Sequence, residues 1–145
     1  MNTRDTALAA EIFGEPVYSY SRAQALDDGY LVDVTEIARE AGFRFPVALT
    51  RAAWEDCVAW NDDDSTRKHW PQDQIGRLWD VLTMTRFYMR GAVRRNPAAD
   101  RFALQVLRVP REGRGHKARV VTLVAHVGPG DNAEPVITIG FDSDF

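Results

Sequence analysis

The sequence predicts an α+β domain in which several short N-terminal helices and one long central helix pack on a three-stranded antiparallel C-terminal sheet. Capping residues and helix-period apolar patterns mark the first two thirds of the chain. The last third alternates runs rich in valine, isoleucine and phenylalanine with glycine-containing turns. The 145 residues, 45% of them hydrophobic, suffice for one core. We therefore expect a single domain over residues 1–145.

Short helices are expected wherever capping residues stand at the right places. Ser21, Thr35 and Thr50 suit the position before a helix, and Gly29 and Gly42 suit the left-handed position after one. The predicted helices cover residues 3–13, Arg22–Asp28, Glu36–Ala41 and Arg51–Trp60, and a short extended piece is expected over residues 17–20.

A long helix is predicted after the most polar interval, Asn61–Trp70, which we expect to be an exposed loop. Pro71 suits the first position of a helix, Asp73 suits its first turn, and Asn96-Pro97 should end it near Arg95. Its apolar stripe should make it the central packing helix. The stripe consists of Ile75, Leu78, Trp79, Leu82, Met89 and Val93, widened by Val81 and Tyr88.

The C-terminal third is predicted to be an antiparallel meander. Its strands are Arg101–Val109, Ala118–Val127 and Pro135–Phe141, joined by two turn segments rich in glycine and proline. The sequence leaves open whether the unpaired edges of such a sheet serve in dimerisation.

The expected setting is the cytoplasm. The chain has one cysteine, Cys57, which excludes an internal disulfide and suits a reducing compartment. Its longest apolar stretches, such as Val120–Ala125, are too short to cross a bilayer, and its first residues lack the apolar core of a signal peptide. We expect no contact with a membrane.

Charge is concentrated in one basic band, Arg86–Lys117, on a chain whose net charge is −3. Arg86, Arg90 and Arg94 recur every four residues and so form one line on a helix. Together with the charged residues of the first hairpin turn they would form a cationic surface if the sheet brings the two groups together. The predicted binding surface consists of Arg86, Arg90, Arg94, Arg95, Arg111, Arg114 and Lys117.

The basic band has a structural explanation as well as a functional one. Cations near the C-terminus of a helix complement its dipole, and charged hairpin turns aid solubility. Arginine also suits the recognition of phosphates and carboxylates. A protein partner is favoured over nucleic acid, because the chain is acidic overall and shows no nucleic-acid-binding motif.

A second candidate surface surrounds the acidic run in the polar interval. The residues are Trp60, Asp62, Asp63, Asp64 and Trp70. Two tryptophans beside an acidic loop could anchor a partner, although a solvated loop is the simpler interpretation. Three consecutive aspartates point in different directions and do not form a coordination sphere.

No catalytic, metal or cofactor site is predicted. His69, His116 and His126 are far apart, and no metal-ligand spacing occurs. Cys57 falls on the apolar face of a predicted helix, where burial is expected. An enzyme with a dispersed site, using Arg22, Asp33 and Glu36, is the least favoured of the possible functions.

Several stretches together resemble a family of small bacterial proteins encoded on plasmids, integrative elements and phages. They are Tyr18–Gly29, Leu31–Val34, Ala38–Arg51, Gly76–Leu82, Gly128–Asp131 and Glu134–Ile139. The resemblance covers nearly the whole chain and implies no particular chemistry, since the family has no assigned activity. It does imply an accessory gene of a mobile element, and such genes often encode anti-restriction, anti-CRISPR, replication or transfer-control functions.

These observations together predict a non-catalytic accessory protein that binds a host macromolecule through a charged surface. The resemblance favours an inhibitor of a host defence system, of the anti-CRISPR or anti-restriction type. The alternative is a small DNA- or RNA-binding regulator that uses the Arg86–Lys117 band against phosphates.

Overall fold

A computed structural model of the protein describes residues 20–145. The helix predicted over residues 3–13 and most of the extended piece predicted over residues 17–20 lie outside this range. The helices are α1 Arg22–Asp27, α2 Thr35–Glu40, α3 Arg51–Cys57, α4 Asp62–Lys68 and α5 Gln74–Arg95. The strands are β1 Leu31–Asp33, β2 Val47–Thr50, β3 Arg101–Arg108, β4 Arg119–Pro129 and β5 Pro135–Gly140, and a 3-10 turn follows at Asp142–Asp144.

The sheet has five strands in the order β1-β2-β5-β4-β3, and not the three that the sequence predicts. The antiparallel meander of β3, β4 and β5 is confirmed. In addition β2 pairs parallel with β5, and β1 pairs antiparallel with β2. The two extra strands have three and four residues, too few for a recognisable alternation. Their pairing with the far end of the chain is not a local property.

The core lies between one face of the sheet and the helices. Leu104, Leu123, Ile137 and Leu49 project from four neighbouring strands and are fully buried. Leu78, Val81 and Leu82 of α5 are buried and pack on this face. The strand that α5 contacts most is β3. The mixed α+β class is therefore as predicted, but the long helix packs mainly on the edge strand β3.

The local capping signals are mostly confirmed. The hydroxyls of Ser21 and Thr50 accept hydrogen bonds from backbone N–H groups in the first turns of α1 and α3. Gly29 and Gly42 have φ values of +81° and +100°, which other residues rarely adopt. The prediction for Thr35 is wrong: it is the first residue of α2, and its hydroxyl bonds to Asp33 and to the backbone of Val47.

The interval Asn61–Trp70 is not an exposed loop, because most of it forms α4. Asn61 caps this helix, with reciprocal hydrogen bonds between Asn61 and Asp64. The run of three aspartates occupies the first turn of α4, where the helix dipole favours negative charge. Arg67 and Lys68 complete the pattern in its last turn. The charged residues of this interval therefore lie at the two ends of a short helix.

Helix α5 begins three residues later than predicted. Asp73 is its N-cap, accepting from the Gly76 N–H, so Pro71 precedes the helix. The predicted end at Arg95 is confirmed. The predicted apolar stripe is too long, since Ile75 and Val93 are 50% and 43% exposed near the two ends of the helix.

Candidate functional site

The two halves of the basic band lie at opposite ends of α5. The β3–β4 hairpin turn meets the start of the helix, where the Arg77 guanidinium donates to the Val109 carbonyl at 2.9 Å. Arg90, Arg94 and Arg95 follow about 20–27 Å further along the axis, at ~1.5 Å per residue. The hairpin arginines and the helix arginines therefore do not form one cationic surface.

The hairpin half is held by a buried carboxylate. Asp64, whose side chain is 5% exposed, accepts from Arg67 Nη2 at 2.9 Å and from Arg111 Nε at 2.8 Å. Arg111 also pairs with Glu55 at 3.2 Å. Arg67 reaches across to the hairpin backbone, donating to the carbonyls of Arg111 and Gly113. Arg111, predicted as part of the binding surface, is thus engaged in internal ion pairs.

Lys68 binds the same hairpin turn from a buried position. Its side chain is 1% exposed, and its ammonium donates to the carbonyls of Glu112 and Gly115. Burial, together with the positive charge of Arg67, lowers the pKa of Lys68. Two backbone carbonyls replace part of the water shell that this ammonium loses.

Arg77 joins the hairpin to the preceding helices. It is 4% exposed and donates to the backbone carbonyls of Val58, Val109 and Asp56 and to the side chain of Gln72. Its guanidinium also lies 4.8 Å from the ring centre of Trp60. We call Asp64, Arg67, Lys68, Arg77 and Arg111 the hairpin clamp. Together they fix the β3–β4 turn on α3, α4 and α5.

Asp64 has a lowered pKa in the hairpin clamp. Burial acts to raise it, but the hydrogen bonds from the Asn61 backbone and from the guanidinium groups of Arg111 and Arg67 outweigh that effect. The carboxylate therefore stays ionised in the folded protein below the pH at which an ordinary aspartate takes up its proton.

The second candidate surface is divided by the fold. Trp60 is 6% exposed, with its indole N–H donating to Ser65, so the expectation of an exposed anchor there is wrong. Asp64 is buried in the hairpin clamp. Asp62 and Asp63 remain exposed on the first turn of α4. Trp70 is 42% exposed and lies with the hairpin, not beside the acidic run.

What remains exposed on the hairpin is a small aromatic and cationic group. The Trp70 and His116 rings stack with their centres 4.8 Å apart and their planes 3° from parallel. Arg114 and Lys117, both exposed, flank His116 in the turn. Among the ion pairs of residues 20–145, none includes Arg114 or Lys117.

Arg86 acts within the fold and not on the surface. Its side chain is half-buried, and its guanidinium donates to the Ala41 carbonyl at the end of α2. A Cβ at Gly42 would lie 2.7 Å from the Arg86 Cζ, so the glycine lets the guanidinium approach. Arg86 therefore joins α5 to the C-terminal end of α2, where a cation complements the helix dipole.

The last turns of α5 carry the cations that stay available. Arg90, Arg94 and Arg95 are exposed, and no carboxylate of the described residues lies within ion-pairing distance of them. Phe87, 67% exposed, precedes Arg90 and Arg94 by three and seven residues and therefore shares their helix face. We call Phe87, Arg90, Arg94 and Arg95 the α5 tail surface.

A cleft of about 730 Å³ lies between α3, α4 and the hairpin. Its charged lining consists of Glu55, Asp56, Asp64, Arg67, Arg108, Arg111, Glu112 and Arg119. Most of these are paired within the cleft, including Arg108 with both Asp56 oxygens at 3.0 and 3.1 Å. The cleft therefore joins the elements around it through balanced charge and offers little net charge to a ligand.

The dispersed residues Arg22, Asp33 and Glu36 do come together, in a second cleft of about 660 Å³. Arg22 donates to the Thr138 hydroxyl and the Ile137 carbonyl, and Asp33 accepts from Thr35. These bonds tie α1 and α2 to the sheet. The Thr35 hydroxyl, which lines this cleft, lies between the Asp33 carboxylate and the Val47 backbone, and its hydrogen bonds join α2 to β1 and β2.

Cys57 is 1% exposed, and burial together with the charge of Asp56 raises the pKa of its thiol to about 12. The expected burial is confirmed, and the thiol stays protonated at neutral pH. Within residues 20–145, histidine, cysteine and acidic side chains form no group of three or more that could hold a metal ion. In the same range no helix is both long and apolar enough to cross a membrane.

The sequence pattern of the family DUF6573, a family of unknown function, matches residues 9–144. The chain belongs to this family. No curated protein and no solved structure matches it. A family of unknown function agrees with the resemblance described above, which implies no particular activity. That the gene lies on a bacterial mobile element stays a prediction.

Sequence reasoning missed the hairpin clamp of this DUF6573 protein. Nothing in the sequence around Lys68 or Arg77 indicates burial, because basic residues on a helix are usually solvated. One local signal was present: an Asn cap followed by three acids, and two bases three residues after the last acid, specify the two ends of α4. No local signal shows that the hairpin, more than forty residues further on, covers Lys68.

Proposed function

We propose that this protein is a non-catalytic binding protein that docks on an acidic surface of a partner protein through the α5 tail surface. The observation that carries the proposal is the exposure of Phe87, at 67%, on the same helix face as Arg90 and Arg94. A large aromatic side chain next to arginines is the composition of the residues that dominate binding energy at protein interfaces.

The charges of the α5 tail surface support this proposal because the described part of the protein leaves them unpaired. A guanidinium that already has a carboxylate partner must give it up to bind another, as Arg111 would have to. Arg90, Arg94 and Arg95 have no carboxylate partner among the described residues, so binding a new one breaks no ion pair there. Their fork of N–H donors suits bidentate bonds to aspartate and glutamate.

A protein partner is favoured over nucleic acid at this surface for two reasons. The net charge of −3 opposes approach to a polyanion except at a local patch, and the patch here is a single helix end. Phe87 and partly exposed Val93 add apolar area that would be buried against a protein. The proposed action is occlusion: a bound copy covers the partner's acidic surface.

The more specific form of the proposal is an inhibitor of a host defence complex, of the anti-CRISPR or anti-restriction type. Its support is the family resemblance alone. It fits a protein that acts by binding in a fixed ratio and carries out no reaction.

The test is affinity capture from the organism that encodes the protein, with and without nuclease. Four tagged baits are compared: wild type, Phe87→Ala, Arg90→Glu with Arg94→Glu, and Arg114→Glu with Lys117→Glu. The last variant makes the same charge change on exposed residues at the other end of α5. We expect a nuclease-resistant protein that the first two variants lose and the hairpin variant retains. If all variants retain the captured protein, the proposal that the α5 tail surface binds it is refuted.

A second candidate, binding of single-stranded nucleic acid, is favoured by one separate observation. The Trp70–His116 stack is exposed and flanked by Arg114 and Lys117, and aromatic rings beside cations are what unpaired bases stack on. It predicts that single-stranded oligonucleotides bind with an affinity that falls steeply as salt is added. Trp70→Ala and the Arg114→Glu, Lys117→Glu variant should abolish this binding. Equal binding by these variants would exclude the hairpin.

A further inference from the structure

The edge of the sheet formed by β3 is open. Its eight residues pair with β4 alone, and β3 is the last strand on its side. Apart from that ladder, no backbone hydrogen bond of the described residues involves Arg101–Arg108. Alternate N–H and C=O groups along this strand therefore point away from β4 without a partner in the part of the chain that the structure describes.

β3 lacks the features that normally protect an edge strand. Folded monomers guard such edges with charged side chains, proline, bulges or very short strands. The opposite edge, β1, has only three residues. In β3 the six residues Phe102–Leu107 contain no charge, proline or glycine. The register with β4 runs without interruption from Arg101 to Arg108.

The charges at the two ends of β3 are neutralised inside the chain. Arg101 is paired with Asp142, and Arg108 with Asp56. Two copies of β3 can therefore approach each other without the repulsion that two pairs of unpaired arginines would cause. The exposed side chains next to this edge are apolar: Leu107 is 64% exposed, and its cross-strand neighbour Val120 is 57% exposed.

We infer that β3 is a dimerisation edge, which pairs antiparallel with β3 of a second copy of this chain and joins the two sheets into one. An antiparallel edge is complementary to itself through a twofold axis. The twofold axis leaves only the short β1 strands as outer edges, so the assembly closes at two copies. This inference does not rest on the proposed function.

The side-chain pattern selects the register. A twofold axis perpendicular to the sheet keeps each side chain on its own face, so residues on one face must oppose each other. Centring the axis on Gln105 places Leu107 against Ala103 of the second copy, and this apolar pair occurs twice. Centring it on Leu104 would place Leu107 against Arg101. Apolar cross-strand pairs favour the Gln105 register.

None of the four residues of the α5 tail surface lies in β3, the strand that would form the dimer interface. The end of α5 is joined to the start of β3 by residues 96–100, so the two run in opposite directions along the sheet. The twofold axis at Gln105 therefore places the two tails at opposite ends of the joined sheet. Loss of dimerisation and loss of partner binding can be told apart by separate variants.

The test measures molar mass by light scattering and sedimentation over a range of concentrations. Wild type should reach twice the chain mass. Ala103→Glu and Leu107→Lys, both at exposed positions, should each weaken dimerisation by roughly tenfold. Combining them should restore it, because the new carboxylate of one copy faces the new ammonium of the other. Thr122→Lys, on the same face but one strand inward, is the matched control and should leave the dimer intact.

A wild-type protein that stays monomeric at every soluble concentration would overturn the inference, and so would a dimer insensitive to both single variants. Thermal melts monitored by circular dichroism show whether each variant folds. Cross-linking gives an independent readout: Gln105→Cys lies opposite itself and should form an intermolecular disulfide under mild oxidation, whereas Thr122→Cys should not. Failure of Gln105→Cys to cross-link would exclude the register centred on Gln105.

Discussion

Arg111 and Arg94 belong to the same basic band, yet the fold uses them in opposite ways. Arg111 lies on a hairpin that folds over α4, and it is paired with Asp64 and Glu55. Arg94 lies on the last turn of α5, exposed, with no carboxylate of residues 20–145 within ion-pairing distance. The hairpin clamp therefore supports the fold, and the α5 tail surface is left available for a partner.

The difference shows that local charge density does not locate a binding surface. A cation becomes structural when a buried carboxylate or carbonyl lies opposite to it, and Asp64, Glu112 and Val109 supply such groups at the hairpin. Within residues 20–145, no carboxylate lies within ion-pairing distance of Arg90, Arg94 or Arg95 at the end of α5. The following predictions test this division, beginning with the largest effect.

Arg77→Met should lower the free energy of unfolding by about 3–5 kcal/mol, at about 1–3 kcal/mol for each buried group left without a partner. The variant leaves the buried carbonyls of Val58 and Val109, the partly buried carbonyl of Asp56 and the side chain of Gln72 without their donor, and it removes the contact with Trp60. Urea unfolding monitored by tryptophan fluorescence measures the change. Arg95→Met, the matched change in the α5 tail surface, should stay within ~0.5 kcal/mol of wild type. Equal effects of the two variants would contradict the conclusion that the hairpin clamp supports the fold and the α5 tail surface does not.

Asp64→Asn should lower the free energy of unfolding by about 3 kcal/mol at neutral pH. The folded pKa of Asp64 lies below its ordinary value of 3.8. Its stabilisation is therefore complete above that pH, and it is lost as the pH falls through 3.8 toward the folded pKa, because only the unfolded chain then takes up the proton. Unfolding of both proteins between pH 7 and pH 2 measures this. A difference between them that does not shrink with acid would count against the ion pairs.

Lys68→Met should cost about 1–2 kcal/mol, because two carbonyls of the hairpin lose a donor while the buried charge and its desolvation penalty disappear. Lys117→Met, in the same region but exposed, should change stability by less than ~0.5 kcal/mol. Hydrogen exchange of residues 112–116 should quicken in the first variant alone. Unchanged exchange there would show that Lys68 does not hold the turn.

Arg90→Gln with Arg94→Gln should have the smallest effect on stability, below ~0.5 kcal/mol, since only the helix-dipole contribution of Arg94 is lost. Arg111→Gln should cost more, about 1–2 kcal/mol, because it breaks two ion pairs. Thermal melts of the three proteins give the comparison. A large loss in the helix variant would indicate a structural role for the α5 tail surface.

Local features of the fold were predictable to the extent that their determinants are close in sequence. The caps Ser21 and Thr50, the end of α5 before Asn96-Pro97 and the meander of β3, β4 and β5 each depend on neighbouring residues. The α4 helix was not predicted even though its cap and end charges are present, because a strongly polar segment is also typical of an exposed loop. Strands β1 and β2 were missed because their pairing is non-local.

The candidate site was predictable only in part. The line of arginines on α5 followed from helix periodicity, but the exposure of Phe87 beside it did not, since aromatic residues on a central helix usually belong to the core. The open edge of β3 depends on strand order, which the three predicted strands did not establish.

Sequence alone determined the caps of α1 and α3, the end of α5, the runs that form the C-terminal hairpins and the uneven spread of charge, because these properties depend on residues a few positions apart. Tertiary structure decided which cations are structural and which are available, because Lys68 and Glu112, or Arg77 and Val109, meet only when the hairpin folds back over α4 and α5. The free energy of a charged side chain depends on the groups that replace its water, and those groups come from distant parts of the chain.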